Sequence, residues 1–523
     1  MVNSLEQRLR DATAFLRLSD AEWSGYREAL ASARISTADL PAVLATLTAL
    51  ANESGQLPAA AERLRDDRFW SPLLEKLWRG VTAGELAEAL TPDCVEQAAE
   101  LYSQLGANSR ARHQLLRLLA ASGQRAALAA FTELIVTDPP GDANESLLAF
   151  VPLFQHKSYP PDALFPRLLD ALHDATLATV VLDLANYLVR SRRVARHPAA
   201  GRLERLSALL SGVVGRLARL EEHPDEFARS AAELNQMVSD STGLVVALVN
   251  ALSLIGDARV TGKLHQTLEL SHRRIRTEAA SALARLGDER GTEVLVEMAA
   301  EPVVRLRALA ALEEVDQLEK VPEEHRSPAA RAAAELAVRL ALPTYFGAPP
   351  QTIELVDSCR QHWPGYEPSV DCYLFRYEYR RGDRLLAGIG IAGPLVHTFR
   401  ADLADLPPAD IYAAYAGWGA EHPEIGDRPA EELDGAERDA WNRRRGQLVD
   451  IGYLEPRLIK LGRFFGQTYY IASSQWRGSP GTLVDDGQKV DWFPGSGAWR
   501  AVGPDEAWSI VKGRRLLRGR YFD

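Results

Sequence analysis

Sulfur is scarce in this chain, with three cysteines and three methionines in 523 residues. Cys94, Cys359 and Cys372 are too few and too scattered along the sequence for a disulfide framework or a zinc site, so no metal or other cofactor is expected and the natural setting is a reducing cytoplasm. The sequence shows no continuous apolar run long enough for a membrane span. Its first ten residues carry Glu6, Arg8 and Arg10 and lack the apolar segment of a secretory signal. No membrane partner is expected. Cations are the minority, 60 Lys and Arg against 71 Asp and Glu, for a net charge of −11. That balance disfavours wholesale polyanion binding but leaves local patches open. Aromatic residues make up only 7% of the chain and are unevenly spread.

What the chain has is a repeat. Ala247 to Asp257 reads ALVNALSLIGD, Ala279 to Asp288 reads AASALARLGD, and Ala308 to Asp316 gives a weaker copy, ALAALEEVD. Aligned, they have a period of about 30 residues, the mark of stacked supersecondary units that cannot bury an apolar face alone. Leu252, Leu283 and Leu312 fall in register, as do Ile255, Leu286 and Val315. Ala279, Ala282, Leu283 and Leu286 form one helical stripe, with alanines that let neighbouring helices approach closely. Gly256 and Gly287 stand where a helix ends in a positive-φ residue, and Asp257 and Asp288 where the next helix is capped. The predicted unit is helix, Gly-Asp turn, helix.

The run Ile275-Arg276-Thr277-Glu278-Ala279-Ala280-Ser281-Ala282-Leu283-Ala284-Arg285-Leu286-Gly287-Asp288 resembles the second helix of a HEAT repeat of the phycobilisome-lyase-like kind. The resemblance covers about residues 240–340 and continues upstream as a looser helical pattern. It implies an interaction scaffold rather than lyase activity. It also implies that an early arginine of the second helix bonds a turn aspartate, which would set Arg276 and Arg305 beside Asp257 and Asp288.

Residues 1–90 read as a helical N-terminal region or solenoid cap, with helix starts at Ser19-Asp20, Thr37-Ala38-Asp39 and Thr82-Ala83. Residues 91–343 read as the HEAT-like α-solenoid, broken at Pro139-Pro140, Pro160-Pro161 and Pro198. After Pro343 the composition changes: 25 of the 39 aromatic residues and 22 of the 37 glycines lie there. Residues 344–523 therefore form a separate aromatic- and Gly-rich α+β domain. Asp371 to Tyr379 alternates as a strand and Arg384 to Ile391 returns as its partner. Phe464 to Ala472 and Val490 to Phe493 are further strands. Helices are expected from Pro407, over Glu431–Leu448 and over Pro504–Leu516. The fold class is mainly α, a HEAT-like α-solenoid followed by a C-terminal α+β domain.

Two constellations are candidate sites. Between Arg190 and Arg219 stand eight arginines and one acid, Glu204. Arg190, Arg192, Arg193, Arg196, Arg202 and Arg205 form a candidate polyanion-binding surface. The plainer reading is a solvated face neutralised by acids such as Glu221, Glu222 and Asp225. His397, Arg400, Tyr412, Tyr415, Trp418 and His422 form a candidate pocket, with the two histidines available for acid–base work if they face each other. No recognised catalytic spacing surrounds them. The letters Gly388-x-Gly390-x-x-Gly393 fit a dinucleotide fingerprint but fall in a hairpin strand rather than at a strand-to-helix turn. The expected function is a protein-interaction scaffold with a C-terminal recognition domain and another protein as partner. The alternatives are a nucleic-acid-binding protein using the arginine face and an enzyme with its site in the C-terminal domain.

Overall fold

In a computed structural model of the chain, the structure describes residues 24, 28, 36–54, 64–79, 83–106, 109–155, 158–227, 230–382, 384–393, 396–398, 403, 405–495 and 501–518. The helix start expected at Ser19-Asp20 lies outside them. The chain divides into two units, Met1–Thr292 and Glu293–Asp523.

The first unit is helical. Its helices are α1 (Leu40–Glu53), α2 (Asp67–Trp78), α3 (Ala83–Ala89), α4 (Pro92–Gln104), α5 (Arg110–Ser122), α6 (Arg125–Thr137), α7 (Ala143–Gln155), α8 (Ala175–Arg190), α9 (Leu203–Glu222), α10 (Ala231–Ile255), α11 (Thr261–Leu268) and α12 (Arg273–Arg285). Each proline break of the sequence falls between helices, and the stretch Arg167–His173 is a 3-10 helix. Helix α2 packs on α5, α5 on α7, α7 on α8, α8 on α10, and α10 on α12. Leu252 and Leu283, two of the in-register leucines, are fully buried. Gly256 and Gly287 take φ of 77° and 81°, and Asp257 and Asp288 accept the backbone N–H of Arg259 and Arg290. Helix α10 corrects the sequence reading on apolar length: by length and composition it could cross a membrane, with a mean hydropathy of 1.6 over its window. Here its apolar surface is covered by α8, α9 and α12.

The pairing implied by the HEAT resemblance is not made. Asp257 is held by Arg259, whose Nε and Nη2 both reach it. Asp288 receives His265 Nε2 at 3.0 Å. Arg305 instead spends its guanidinium on the carbonyls of Ala299, Ala300 and Ala330.

The second unit begins within helix α13 (Glu289–Ala299) and continues with α14 (Pro302–Glu314), the short α15 (Glu323–Arg326) and α16 (Pro328–Ala341). Strands β1 (Thr352–Trp363), β2 (Tyr366–Arg381), β3 (Arg384–Ala392) and β4 (His397–Thr398) form one antiparallel meander. After helix α17 (Pro408–Trp418) come β5 (Ile425–Pro429) and α18 (Gly435–Asp450). A second antiparallel sheet then adds β6 (Tyr453–Phe464), β7 (Gln467–Trp476), β8 (Ser479–Asp485) and β9 (Val490–Pro494) to β5, and α19 (Pro504–Leu516) follows. The strand expected over Phe464–Ala472 is thus two strands joined at a two-residue turn, where Phe465 and Gly466 both have positive φ.

Helix α16 belongs to this unit, so the division lies before the boundary expected at 343. Its Leu336 and Leu340 share a core with Phe375, Tyr377 and Tyr379 of β2. The alternation of β2 explains the layering. Its aromatic face looks to α16, while Cys372 and Leu374 on the other face join a core containing α17, α19 and the second sheet. Helix α18 covers the far side of that second sheet through Trp441 and Leu448.

The same order, helix, four-strand meander, helix, therefore occurs twice. Both long hairpins turn on two residues with a positive-φ glycine second, Gly365 and Gly466. The closing helices align without a gap, setting Pro408 with Pro504, Tyr412 with Trp508, Ala413 with Ser509, and Gly417 with Gly513. They cross at the two glycines, Gly417 against the Ser509 carbonyl and Gly513 against the Ala413 carbonyl. Register also gathers what the sequence scatters, since Cys359 and Cys372 are directly opposed on β1 and β2 as free thiols. The Gly-x-Gly letters have a packing role. A side chain at Gly388 would strike the Tyr377 ring, and one at Gly390 would strike Leu336.

Candidate functional site

The polar groups of the first unit concentrate on one seam across α8, α10 and α12. Helix α8 is apolar around most of its circumference, which buries Val180, Val181, Leu184 and Leu188. Asp183, Asn186 and Arg190 recur at i, i+3 and i+7, and so share the face turned toward α10. Arg190 Nη2 donates to Asn250 Oδ1 at 2.5 Å. Asn250 Nδ2 donates to the Val246 carbonyl at 3.0 Å and lies 3.4 Å from Glu278 Oε2 on α12. One helical repeat is thereby tied to the next through buried polar atoms that have partners, as interiors require. Asn186 Nδ2 bonds the Ala247 carbonyl, and its Oδ1 faces His197 Nε2 at 3.0 Å. The Ala199 amide donates to His197 Nδ1, so Nε2 carries the proton. Burial pushes the His197 imidazole down to about 4 and keeps it neutral.

Asp183 is the informative member. Its side chain is open to solvent, yet burial by the surrounding helices pushes its carboxyl up to about 6, against the pull of Arg190 and Arg274. Asp183 is thus accessible while the helices packed around it desolvate its carboxyl, and acids perturbed in this way mark candidate binding sites. Asp183, Arg190, Arg273 and Arg274 are all exposed at this seam. Such a mixed-charge seam can recognise polar side chains of a partner.

The candidate arginine surface is divided by the fold. Arg190 serves the seam, and Arg193 lies over the rings of Tyr159 and Tyr187. Arg202 bonds Asp170 at 3.1 Å, and Arg205 also contributes to holding that carboxyl low, where Arg167 has the largest effect. Arg192 and Arg196 are exposed, and Arg192 turns the chain with φ of 58°.

Of the candidate pocket residues, the fold brings His397, Tyr415 and Trp418 together and sets Tyr412 and His422 in other surroundings. The His397 ring lies 6.1 Å from that of Tyr415 and 6.2 Å from that of Trp363, and burial lowers its pKa. Tyr415 is fully buried and donates to the Ile389 carbonyl, with Trp418 packed edge-on beside it. Tyr412 faces Cys359 and Asp357, and burial raises its hydroxyl far above the usual range. The His422 ring lies tilted against that of Phe465, with centroids 4.7 Å apart. Arg400 lies outside the described residues. Among the described residues, no group of His, Cys, Asp and Glu is placed to hold a metal ion.

Sequence reading missed Asp183, Asn250, Arg274 and Glu278. A signal existed in Asp183, a single acid inside the apolar run Thr179–Leu184, and in Asn250, a polar residue inside ALVNALSLIGD.

Comparison with curated proteins gives no match. A solved structure of lipid–protein interactions in lipovitellin aligns at 13% identity with a TM-score of 0.29, over 87% of this chain. The chain spans half the length of that protein, and at so low a score the likeness carries no argument. A family model of HEAT repeats matches residues 231–313, which hold the last helices of the seam. Over that segment the chain matches HEAT repeats.

Proposed function

We propose that the chain is an interaction scaffold whose α8–α10–α12 seam engages a partner protein, with the C-terminal α+β unit as a second recognition module. The observation that carries this reading is Asp183, a solvent-open carboxylate at the seam whose carboxyl the neighbouring helices desolvate. Its ionised form is poorly solvated there, and a cationic side chain from a partner would restore what burial removes. The second module and residence in the cytoplasm belong to the same reading. A nucleic-acid partner fits less well, because Arg190, Arg193 and Arg202 are already engaged within the fold.

The test is cross-linking capture with the tagged full chain, comparing the natural protein with Asp183→Lys. Unchanged thermal unfolding of the variant verifies that it remains folded beside Arg190 and Arg274. A partner captured by the natural chain and lost in the variant supports the seam. Equal capture by both places recognition elsewhere. Salt-sensitive retention of the natural chain on immobilised nucleic acid, with no protein partner captured, would replace this reading with the nucleic-acid one.

A further inference from the structure

The second unit holds a cleft of about 490 Å³ between the C-terminal half of α19 and the strands β7 to β9. Lys489, Arg514, Arg515 and Arg518 line it beside Asp486 and Asp491. Both acids are already answered. Asp486 accepts the backbone amides of Gln488 and Lys489 and the Arg515 guanidinium at 2.7 Å. Asp491 accepts Lys489 Nζ at 2.6 Å, with Arg514 3.9 Å away. Asp410 takes one edge of Arg514. With Asp410 counted, four cations face three acids and the site keeps an excess of positive charge.

The duplicated architecture fills the position of one of these cations, Arg514, without a charge in its first half. Val511 and Arg514 occupy the positions that Tyr415 and Trp418 hold in the first half, where aromatic rings pack on each other. Cations in the last turn of α19 also favour its dipole, but that does not explain Lys489, which enters from the β8–β9 turn. The volume falls within the range of small-molecule sites, and guanidiniums match the geometry of phosphate oxygens.

We propose that this cleft binds the phosphate group of a small phosphomonoester. Arg518, just past the C-terminal end of α19 and solvent-exposed, stands with Lys489 at the mouth, while Arg515 holds the floor beside Tyr469.

Calorimetric titration of the full chain tests this with two probes, inorganic phosphate and phenyl phosphate. One saturable site per chain is expected, tighter for phenyl phosphate and weakening below about pH 6 as the second phosphate charge is lost. Arg518→Gln and Lys489→Gln should each weaken binding on the order of tenfold, as loss of a charge-assisted hydrogen bond implies. Both side chains are exposed, and unchanged thermal unfolding of the variants verifies that they remain folded. Heats of dilution alone, or unchanged affinity in both variants, would overturn the proposal.

Discussion

At the scale of single residues, the three repeat copies differ at one informative position. Gly256 and Gly287 take the left-handed conformation that ends their helices, while the third copy places Asp316 there at φ 55°. A side chain in that region costs about 1–2 kcal/mol, so Gly287→Ala should destabilise the first unit by roughly that much in urea denaturation. Asp316→Gly should leave the stability of its unit unchanged or slightly raised, since aspartate tolerates this conformation better than most residues. His197 makes a pH prediction. Its folded pKa near 4 lies below the ordinary 6.5, so the unfolded chain binds the extra proton. Stability is therefore fully present above about pH 6.5 and declines as pH falls toward 4. The loss is on the order of 3 kcal/mol for this buried group. Replacing His197 with Asn should flatten that part of the stability–pH profile, and an unchanged slope would show that other groups set it. Asp183 gives the binding counterpart: affinity for a cationic partner should fall as pH drops below about 6 and the carboxyl takes up its proton.

At the scale of elements, context reverses the sign of one substitution. Glycine in a helix interior ordinarily costs about 0.5–1 kcal/mol relative to alanine. Gly446 in α18 has open space where a Cβ would stand, so Gly446→Ala should stabilise by about that amount. Gly513 and Gly417 lie at the crossing of α19 and α17, where a Cβ would overlap the Ala413 or Ser509 carbonyl. Gly513→Ala should instead cost about 1–3 kcal/mol or more, as overpacking does. Thermal unfolding of the two variants side by side decides it. Leu283→Ala should cost about 2–5 kcal/mol, because the side chain is fully buried at the repeat's core position.

At the scale of the whole molecule, the place where the chain can be cut follows from which surfaces share a core. A fragment beginning at 344 leaves Phe375, Tyr377 and Tyr379 without the helix that covers them. It should aggregate or bind a hydrophobic dye, while a fragment beginning at 293 should stay monomeric and unfold cooperatively. Stable behaviour of the shorter fragment would show that α16 is dispensable. Composition shifts at 343 because helices rich in alanine give way to strands rich in tyrosine there. The core does not follow that shift, since a sheet needs cover on its apolar faces and α16 is the helix packed on one of them.

The sequence by itself determined what is periodic and local. Leu252 and Leu283, the turn glycines and the capping aspartates read off directly, because a helical stripe and a helix end depend on residues a few positions apart. So did the β2–β3 hairpin and the full span of α19, which opens on a proline. The duplication in the second unit was also written there, in the spacing of Pro408 to Gly417 and Pro504 to Gly513, but two matching residues in ten are lost among ordinary helix residues. Only the tertiary structure decided which distant groups meet. Cys359 faces Cys372 through strand register, Asp183 becomes desolvated through neighbouring helices, and Lys489 joins the arginines of α19 through a sheet folded against a helix. Burial and charge at a site depend on what packs around it, and that packing depends on long-range contacts that no short window of sequence contains.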